Sequence, residues 1–74
     1  MPTLKFPLNN DRRSARGNTV YAGDAMSVKD ADGDLVLNVN RFYFGTGRES
    51  RRRAVAFTRG LVALLNAAHE EGRI

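Results

Sequence analysis

Residues 54–68 read AVAFTRGLVALLNAA, an alanine- and leucine-rich run that is typical of an amphipathic helix. At about 100° per residue, its large apolar side chains fall within one arc, which is the stripe expected of a helix packed on a sheet. The stripe consists of Ala54, Phe57, Leu61, Leu64, Leu65 and Ala68. We therefore expect this stripe to form the helix side of the core.

The predicted ends of this helix follow from its flanking residues. Thr46 and Glu49 have the spacing of a capping box, and Ser50 is a competing N-cap. Gly72 can end the helix because glycine readily adopts the left-handed conformation of a C-cap. The sequence thus predicts one long C-terminal helix over about 47–71.

The chain before the helix predicts short strands, all within residues 3–44. The turn sequence DADGD, residues 30–34, predicts a β-hairpin in which Gly33 adopts positive φ. The candidate strands are residues 3–8, where Pro7 indicates a sheet edge, residues 19–29 with a break around Gly23, and residues 35–44. A bulge near Asn40 or Arg41 would redirect the aromatic residues of the last strand.

These elements predict an α+β fold in a single domain, residues 1–74. We expect a small antiparallel sheet of three to four strands packed against one long C-terminal helix. Seventy-four residues allow only a thin core, because a chain of this size buries roughly 60% of its unfolded surface.

Composition narrows the function class. The chain has no cysteine and one histidine, which excludes disulfides and zinc sites built from cysteine and histidine. Twelve basic residues against eight acidic ones give a net charge of +4 and a pI near 10.4. No apolar run approaches the roughly 18 residues that would span a bilayer, and no signal segment opens the chain. We expect a soluble, intracellular protein with no membrane partner.

Catalytic and metal chemistry have little support in the sequence. His69 is the only imidazole, it follows the predicted core stripe near the helix end, and no serine has a candidate base nearby in sequence. Asp30, Asp32 and Asp34 resemble a calcium loop, but an EF-hand would need glycine and glutamate where this chain has Leu35 and Arg41. We expect no enzyme, no metal and no cofactor.

Arginine clusters at the start of the predicted helix and in a polar loop over 9–18. Arginines at the N-terminus of a helix are repelled by the positive end of the helix macrodipole. An anionic partner would offset this repulsion. Val55 and Val62 form a second, smaller apolar strip beside these arginines, and arginine around apolar anchors is typical of protein-interaction hot spots. The predicted partner-binding residues are Arg48, Arg51, Arg52, Arg53, Arg59, Arg12, Arg13, Arg16, Val55 and Val62.

Three partner classes fit this surface. A protein complex, including a nucleoprotein, would use the arginines together with the apolar strip. Nucleic acid would use the same arginines on phosphates, with Tyr21, Phe42, Tyr43 and Phe44 available for stacking. A second copy could instead pair through Val55 and Val62 or through an edge strand, so the chain is expected to be a monomer or a homodimer.

The hairpin sequence VKDADGDLVL, residues 28–37, followed by the alanine-rich helix, resembles short orphan accessory proteins of phages and mobile elements of GC-rich bacteria. Anti-CRISPR proteins belong to this class. The resemblance implies a small, non-enzymatic, stoichiometric inhibitor or adaptor that occupies a surface of a host complex in the cytoplasm of a bacterial host. Many such proteins are acidic mimics of nucleic acid, whereas this chain is basic. The difference favours docking on an acidic protein face or on bound nucleic acid.

Overall fold

Two antiparallel strands and one long helix form the fold of residues 3–11 and 26–74, the part of the chain that the computed structural model describes. The elements are β1 (Ser27–Lys29), β2 (Leu35–Asn38), a 3-10 helix (Arg41–Phe44) and α1 (Gly47–Glu70). The α+β arrangement with one long C-terminal helix is as predicted. The expectation of three to four strands is wrong for these residues, whose sheet has two strands. The predicted strand over 19–22 and loop residues 12–18 lie outside the described part.

The predicted hairpin is confirmed. β1 and β2 pair antiparallel, with Ser27 opposite Asn38 and Val28 opposite Leu37, and a bulge separates this register from the Lys29–Leu35 pair. The Asp30 carboxylate closes the turn because its Oδ1 accepts the backbone N–H groups of Asp32 and Asp34, each at 2.9 Å. Gly33 has a φ of 87°, a conformation that favours glycine.

Asp30→Ala should therefore weaken the hairpin. The substitution removes two hydrogen bonds to backbone N–H groups, and we expect the free energy of unfolding to fall by about 1–2 kcal/mol in urea denaturation. Asp30→Asn retains an Oδ1 acceptor and is expected to lose less than half as much. Equal losses in the two variants would contradict this account of the turn.

The N-terminal segment is not the predicted strand over 3–8. It makes one antiparallel bridge to the sheet, in which Asn9 and Lys29 exchange backbone hydrogen bonds of 2.9 and 2.8 Å. The backbone N–H and C=O of Leu8 instead bond the Asn66 side chain of α1, at 2.8 and 2.9 Å. Pro7 has no N–H to donate. The ladder does not continue in register because the N–H of Ala31, the residue that would lie opposite Pro7, bonds the carbonyl of Lys5 at 2.8 Å.

The strand predicted over 35–44 ends at Asn38, so its second half was assigned wrongly. Asn40 changes the direction of the chain because its Oδ1 accepts the N–H of Phe42 at 3.0 Å and caps the 3-10 helix. The predicted redirection near Asn40 is thus present, but a 3-10 helix produces it rather than a bulge.

The helix α1 spans 24 residues, close to the predicted range. Its N-cap residue is Thr46, yet the Thr46 side chain makes no capping hydrogen bond, so the predicted capping box does not form. Ser50 Oγ donates to the carbonyl of Gly47 at 2.7 Å instead. At the other end, Gly72 has a φ of 77° and its N–H bonds the carbonyl of His69, as expected of a helix stop.

The core lies between Leu8, Val28 of β1 and Val62 of α1. The buried positions of α1 recur every four residues and are Ser50, Ala54, Thr58 and Val62. Such i, i+4 rows are the ridges by which helices pack obliquely on a neighbour. The expectation that Val62 lies outside the core is therefore wrong.

The predicted core stripe is correct only in part. Ala54 is buried and Leu61 and Leu65 pack against the core, but Phe57 and Leu64 are 51% and 60% exposed. Thr58 replaces them in the interior because its hydroxyl donates to the carbonyl of Ala54 at 2.7 Å and needs no further partner.

Candidate functional site

A groove on the surface of α1 brings together four of the predicted helix arginines. It has a volume of about 340 Å³ and opens to solvent. The lining residues are Arg48, Arg51, Arg52, Val55, Ala56 and Arg59. Val55 was predicted to lie beside the arginines, and it lies in the groove. We call this surface the arginine groove.

The helix repeat explains why these residues meet. Arg48, Arg52 and Arg59 project within about 40° of one another, and Val55 lies between them in sequence and on the same side. From Arg48 to Arg59, these residues extend over about 16 Å along the helix axis. Half-buried Val55 and exposed Ala56 have short side chains, so the longer arginines rise around an apolar floor.

The remaining predicted site residues are not among the described residues that line the arginine groove. Arg53 is exposed on α1 but is not among the residues lining the groove. Val62 is 9% exposed and belongs to the core, so it offers no surface for a partner. Arg12, Arg13 and Arg16 lie outside the described residues.

The arginine groove concentrates positive charge at the start of α1. Four of the six residues from Arg48 to Arg53 are arginines. Arg52 pairs with Glu49 at 3.3 Å, but both side chains are largely exposed and such pairs contribute little. Within the described part of the chain, Arg48 and Arg59 have no carboxylate at ion-pair distance. The helix dipole adds positive potential at this end of α1.

This arrangement can bind anions that also present apolar surface. Guanidinium groups make paired, planar hydrogen bonds to carboxylates and phosphates. The floor of Val55 and Ala56 cannot contribute to such bonds, but it can be covered by aliphatic or aromatic atoms of a partner. The groove therefore combines the two components of a protein-binding hot spot.

A second, apolar groove lies on the opposite side of α1 and was not predicted. Its volume is about 500 Å³, and its lining residues are Leu37, Asn38, Val39, Asn40, Tyr43, Phe44, Phe57 and Leu61. Phe44 packs on Phe57 with a ring separation of 5.7 Å, and Tyr43 is 84% exposed. The sequence interpretation missed it because Phe57 was assigned to the core and Phe44 to a strand. We call this surface the apolar groove.

The two grooves face away from each other. Phe57 is two residues from both Val55 and Arg59, so it projects about 160–200° from them around the helix. The exposed aromatic residues of the 3-10 helix therefore do not share a surface with the arginine groove. Arg41 lies over the Phe42 ring, 5.1 Å from its centroid, on the side of the aromatic residues.

The acidic hairpin is a turn held by its own contacts. Carboxylate oxygens of Asp30, Asp32 and Asp34 lie within 4.8 Å of one another. The Lys5 ammonium bonds the Asp32 carboxylate at 2.6 Å, and this hydrogen bond raises the pKa of the exposed Lys5. The hairpin is thereby tied to the N-terminal segment.

His69 takes part in a contact that the sequence did not indicate. Its exposed ring stacks on Phe6 with 3.9 Å between centroids and an interplanar angle of 2°. Its Nδ1 lies 3.1 Å from the carbonyl oxygen of Ile74. The contact joins the N-terminal segment to the end of α1.

Comparison with known proteins finds no match among family models, curated proteins or solved structures. Among the described residues, no helix is long and apolar enough to cross a membrane.

Proposed function

We propose that this protein is a small, non-enzymatic inhibitor or adaptor that docks its arginine groove on an acidic surface of a host protein complex. The setting is the bacterial cytoplasm, and the mode of action is that of phage-encoded accessory proteins such as anti-CRISPR proteins. The observation that carries the proposal is the arginine groove itself, in which four arginines surround an apolar floor of Val55 and Ala56.

The apolar floor favours a protein partner over nucleic acid. Carboxylates on a protein surface are interspersed with aliphatic and aromatic atoms, which can cover Val55 while the arginines bind the acids. A nucleic-acid backbone presents phosphates and sugars, and single-strand binding proteins supplement phosphate contacts with stacking on aromatic residues along the same path. Here the exposed Tyr43 lies on the opposite side of α1 from the arginine groove.

A salt series with fluorescent single- and double-stranded DNA and RNA tests this choice. Four groove arginines would release at most about four counterions, so nucleic-acid affinity should fall with a log–log slope of no more than about 4. We expect a Kd of about 100 µM or weaker at roughly physiological salt, the weak end of non-specific binding.

The opposite result would make nucleic acid the favoured partner. Micromolar or tighter binding at physiological salt, lost when Arg52 and Arg59 are replaced by glutamate, would identify the arginine groove as a phosphate-binding surface. The proposal of an acidic protein partner would then be wrong.

A further inference from the structure

The exposed apolar surface of α1 is larger than the two strands can cover. Phe57 and Leu64 lie two helical turns apart on one side of the helix, and both are more than half exposed. Leu61, between them, lines the apolar groove together with Tyr43 of the 3-10 helix. A wider sheet would bury this side of α1. With two strands in the described sheet, these apolar side chains remain exposed to solvent.

The apolar groove borders the C-terminal end of β2. Leu37 and Asn38, the last two residues of β2, line the groove together with Val39 and Asn40, which follow the strand. Within residues 3–11 and 26–74, one edge of β2 has no paired strand. Pairing with β1 occupies the other edge: the N–H of Val39 bonds the carbonyl of Met26 at 2.8 Å.

The backbone N–H and C=O groups of alternate residues in β2 point towards the edge that does not face β1. Since the N–H of Val39 points towards β1, the backbone groups of Asn38 point away from it. The described residues pair β2 with β1 alone. The edge thus offers donors and acceptors to an added strand, next to an apolar groove.

Charge also distinguishes this edge. Residues 35–40 read LVLNVN, and neither this segment nor the lining of the apolar groove contains a charged residue. Natural edge strands are commonly protected from pairing by lysine, proline or inward-pointing charge. A neutral edge with an apolar border matches a partner segment that is equally neutral and apolar, and LVLNVN itself has this composition.

We propose that a second copy of this chain covers the apolar groove, with β2 pairing antiparallel to its symmetry mate. The twofold axis would be perpendicular to the sheet, giving four continuous strands with both α1 helices on the same face. Phe57 and Leu64 of the two copies would then meet across the axis. Two helices over adjacent hairpins lie about 10 Å apart, which is the usual separation of packed helices.

The exposed apolar area limits the size of this dimer interface. Tyr43, Phe57, Leu64 and the neighbouring Phe42 are 51–84% exposed. Together they offer about 500–600 Å² per copy, given that large side chains bury roughly 150–250 Å² each. A standard interface buries about 800 Å² per partner. We therefore expect a dimer with a Kd of about 10 µM, a value at the weak end of specific association.

This inference does not rest on the proposed function, because the arginine groove lies on the other side of α1. Each dimer would carry two arginine grooves on outward-facing sides, so a partner with two sites would be held bivalently. The two surfaces also respond oppositely to salt. Salt weakens binding through the arginines, whereas it strengthens association of two chains that each carry a charge of +4.

Sedimentation velocity of the wild-type chain from about 1 to 200 µM tests the dimer. The sedimenting species should change from one chain to two across this range. Leu64→Glu places a charge in the proposed interface and should raise the dimer Kd at least 20-fold. The matched control is Ile74→Glu, a similar change at a residue that is 55% exposed outside the apolar groove. It should dimerise like the wild type.

Hydrogen exchange provides a second readout that needs no substitution. The amide of Asn38 should exchange more slowly as the protein concentration rises, since pairing would protect it. A wild-type chain that stays monomeric at 200 µM overturns the proposal. So does a Leu64→Glu variant that is folded by circular dichroism and dimerises as tightly as the Ile74→Glu control.

Discussion

Replacing Arg52 and Arg59 together by glutamate is expected to abolish partner capture and to leave the fold intact. Both side chains line the arginine groove and are exposed, so neither supports the core. Hot-spot arginines contribute about 2 kcal/mol or more each, and charge reversal adds repulsion from an acidic partner. We expect at least a 100-fold loss of affinity. The measurement is capture from nuclease-treated bacterial lysate, quantified by mass spectrometry.

The chain offers a matched control for this experiment. Arg53 and Arg73 are exposed and do not line the arginine groove, so Arg53→Glu with Arg73→Glu changes the net charge equally at other places. If the position of the arginines matters, the control variant should capture most of the partner that the wild type captures. If only the total charge matters, it should lose as much capture as the Arg52 and Arg59 double variant. Equal losses in the two double variants would contradict a localised binding face.

Asn66→Ala should cause the largest loss of stability among single substitutions of side chains that are not fully buried. The Asn66 side chain both accepts from and donates to the backbone of Leu8, at 2.8 and 2.9 Å, and Leu8 is only 2% exposed. Removing the amide leaves two buried backbone groups without these partners. We expect the free energy of unfolding to fall by about 3 kcal/mol, which is a large share of the roughly 4–11 kcal/mol typical of this chain length.

Urea denaturation measures this loss, with Asn40→Ala as the matched control. Asn40 accepts one hydrogen bond, from Phe42, in an exposed setting, so its loss should be about 1 kcal/mol. Asn66→Asp retains an acceptor for the N–H of Leu8 but no donor for its carbonyl, and it should fall between the wild type and Asn66→Ala. Similar losses for Asn66→Ala and Asn40→Ala would contradict the role given to Asn66.

The helix and the hairpin could be predicted from the sequence because short runs of neighbouring residues determine both. The turn sequence around Gly33 and the stop at Gly72 depend on backbone preferences that a few residues determine. The arginine groove was partly predictable for the same reason, since helical periodicity alone places Arg52, Val55 and Arg59 on one side.

The errors arose where hydrophobicity alone did not decide which residues are buried or paired. Thr58 lies in the core because its hydroxyl is satisfied within the helix, whereas the more apolar Phe57 remains half exposed. Val62 follows Thr58 by one turn and is buried with it. The segment predicted as a strand over 3–8 is instead held by the Asn66 side chain, 58 residues away, which bonds both backbone groups of Leu8. No local pattern contains that contact.

The most direct test of the binding face is site-specific photocrosslinking. A benzophenone amino acid replaces Ala56, which lines the arginine groove, or Leu64, which lies on the opposite side of α1. In nuclease-treated bacterial lysate, the probe at position 56 should form an adduct with another protein, at an acidic segment identified by mass spectrometry. The probe at position 64 should crosslink to a second copy of the chain. Adducts with host protein from position 64 and none from position 56 would contradict the account.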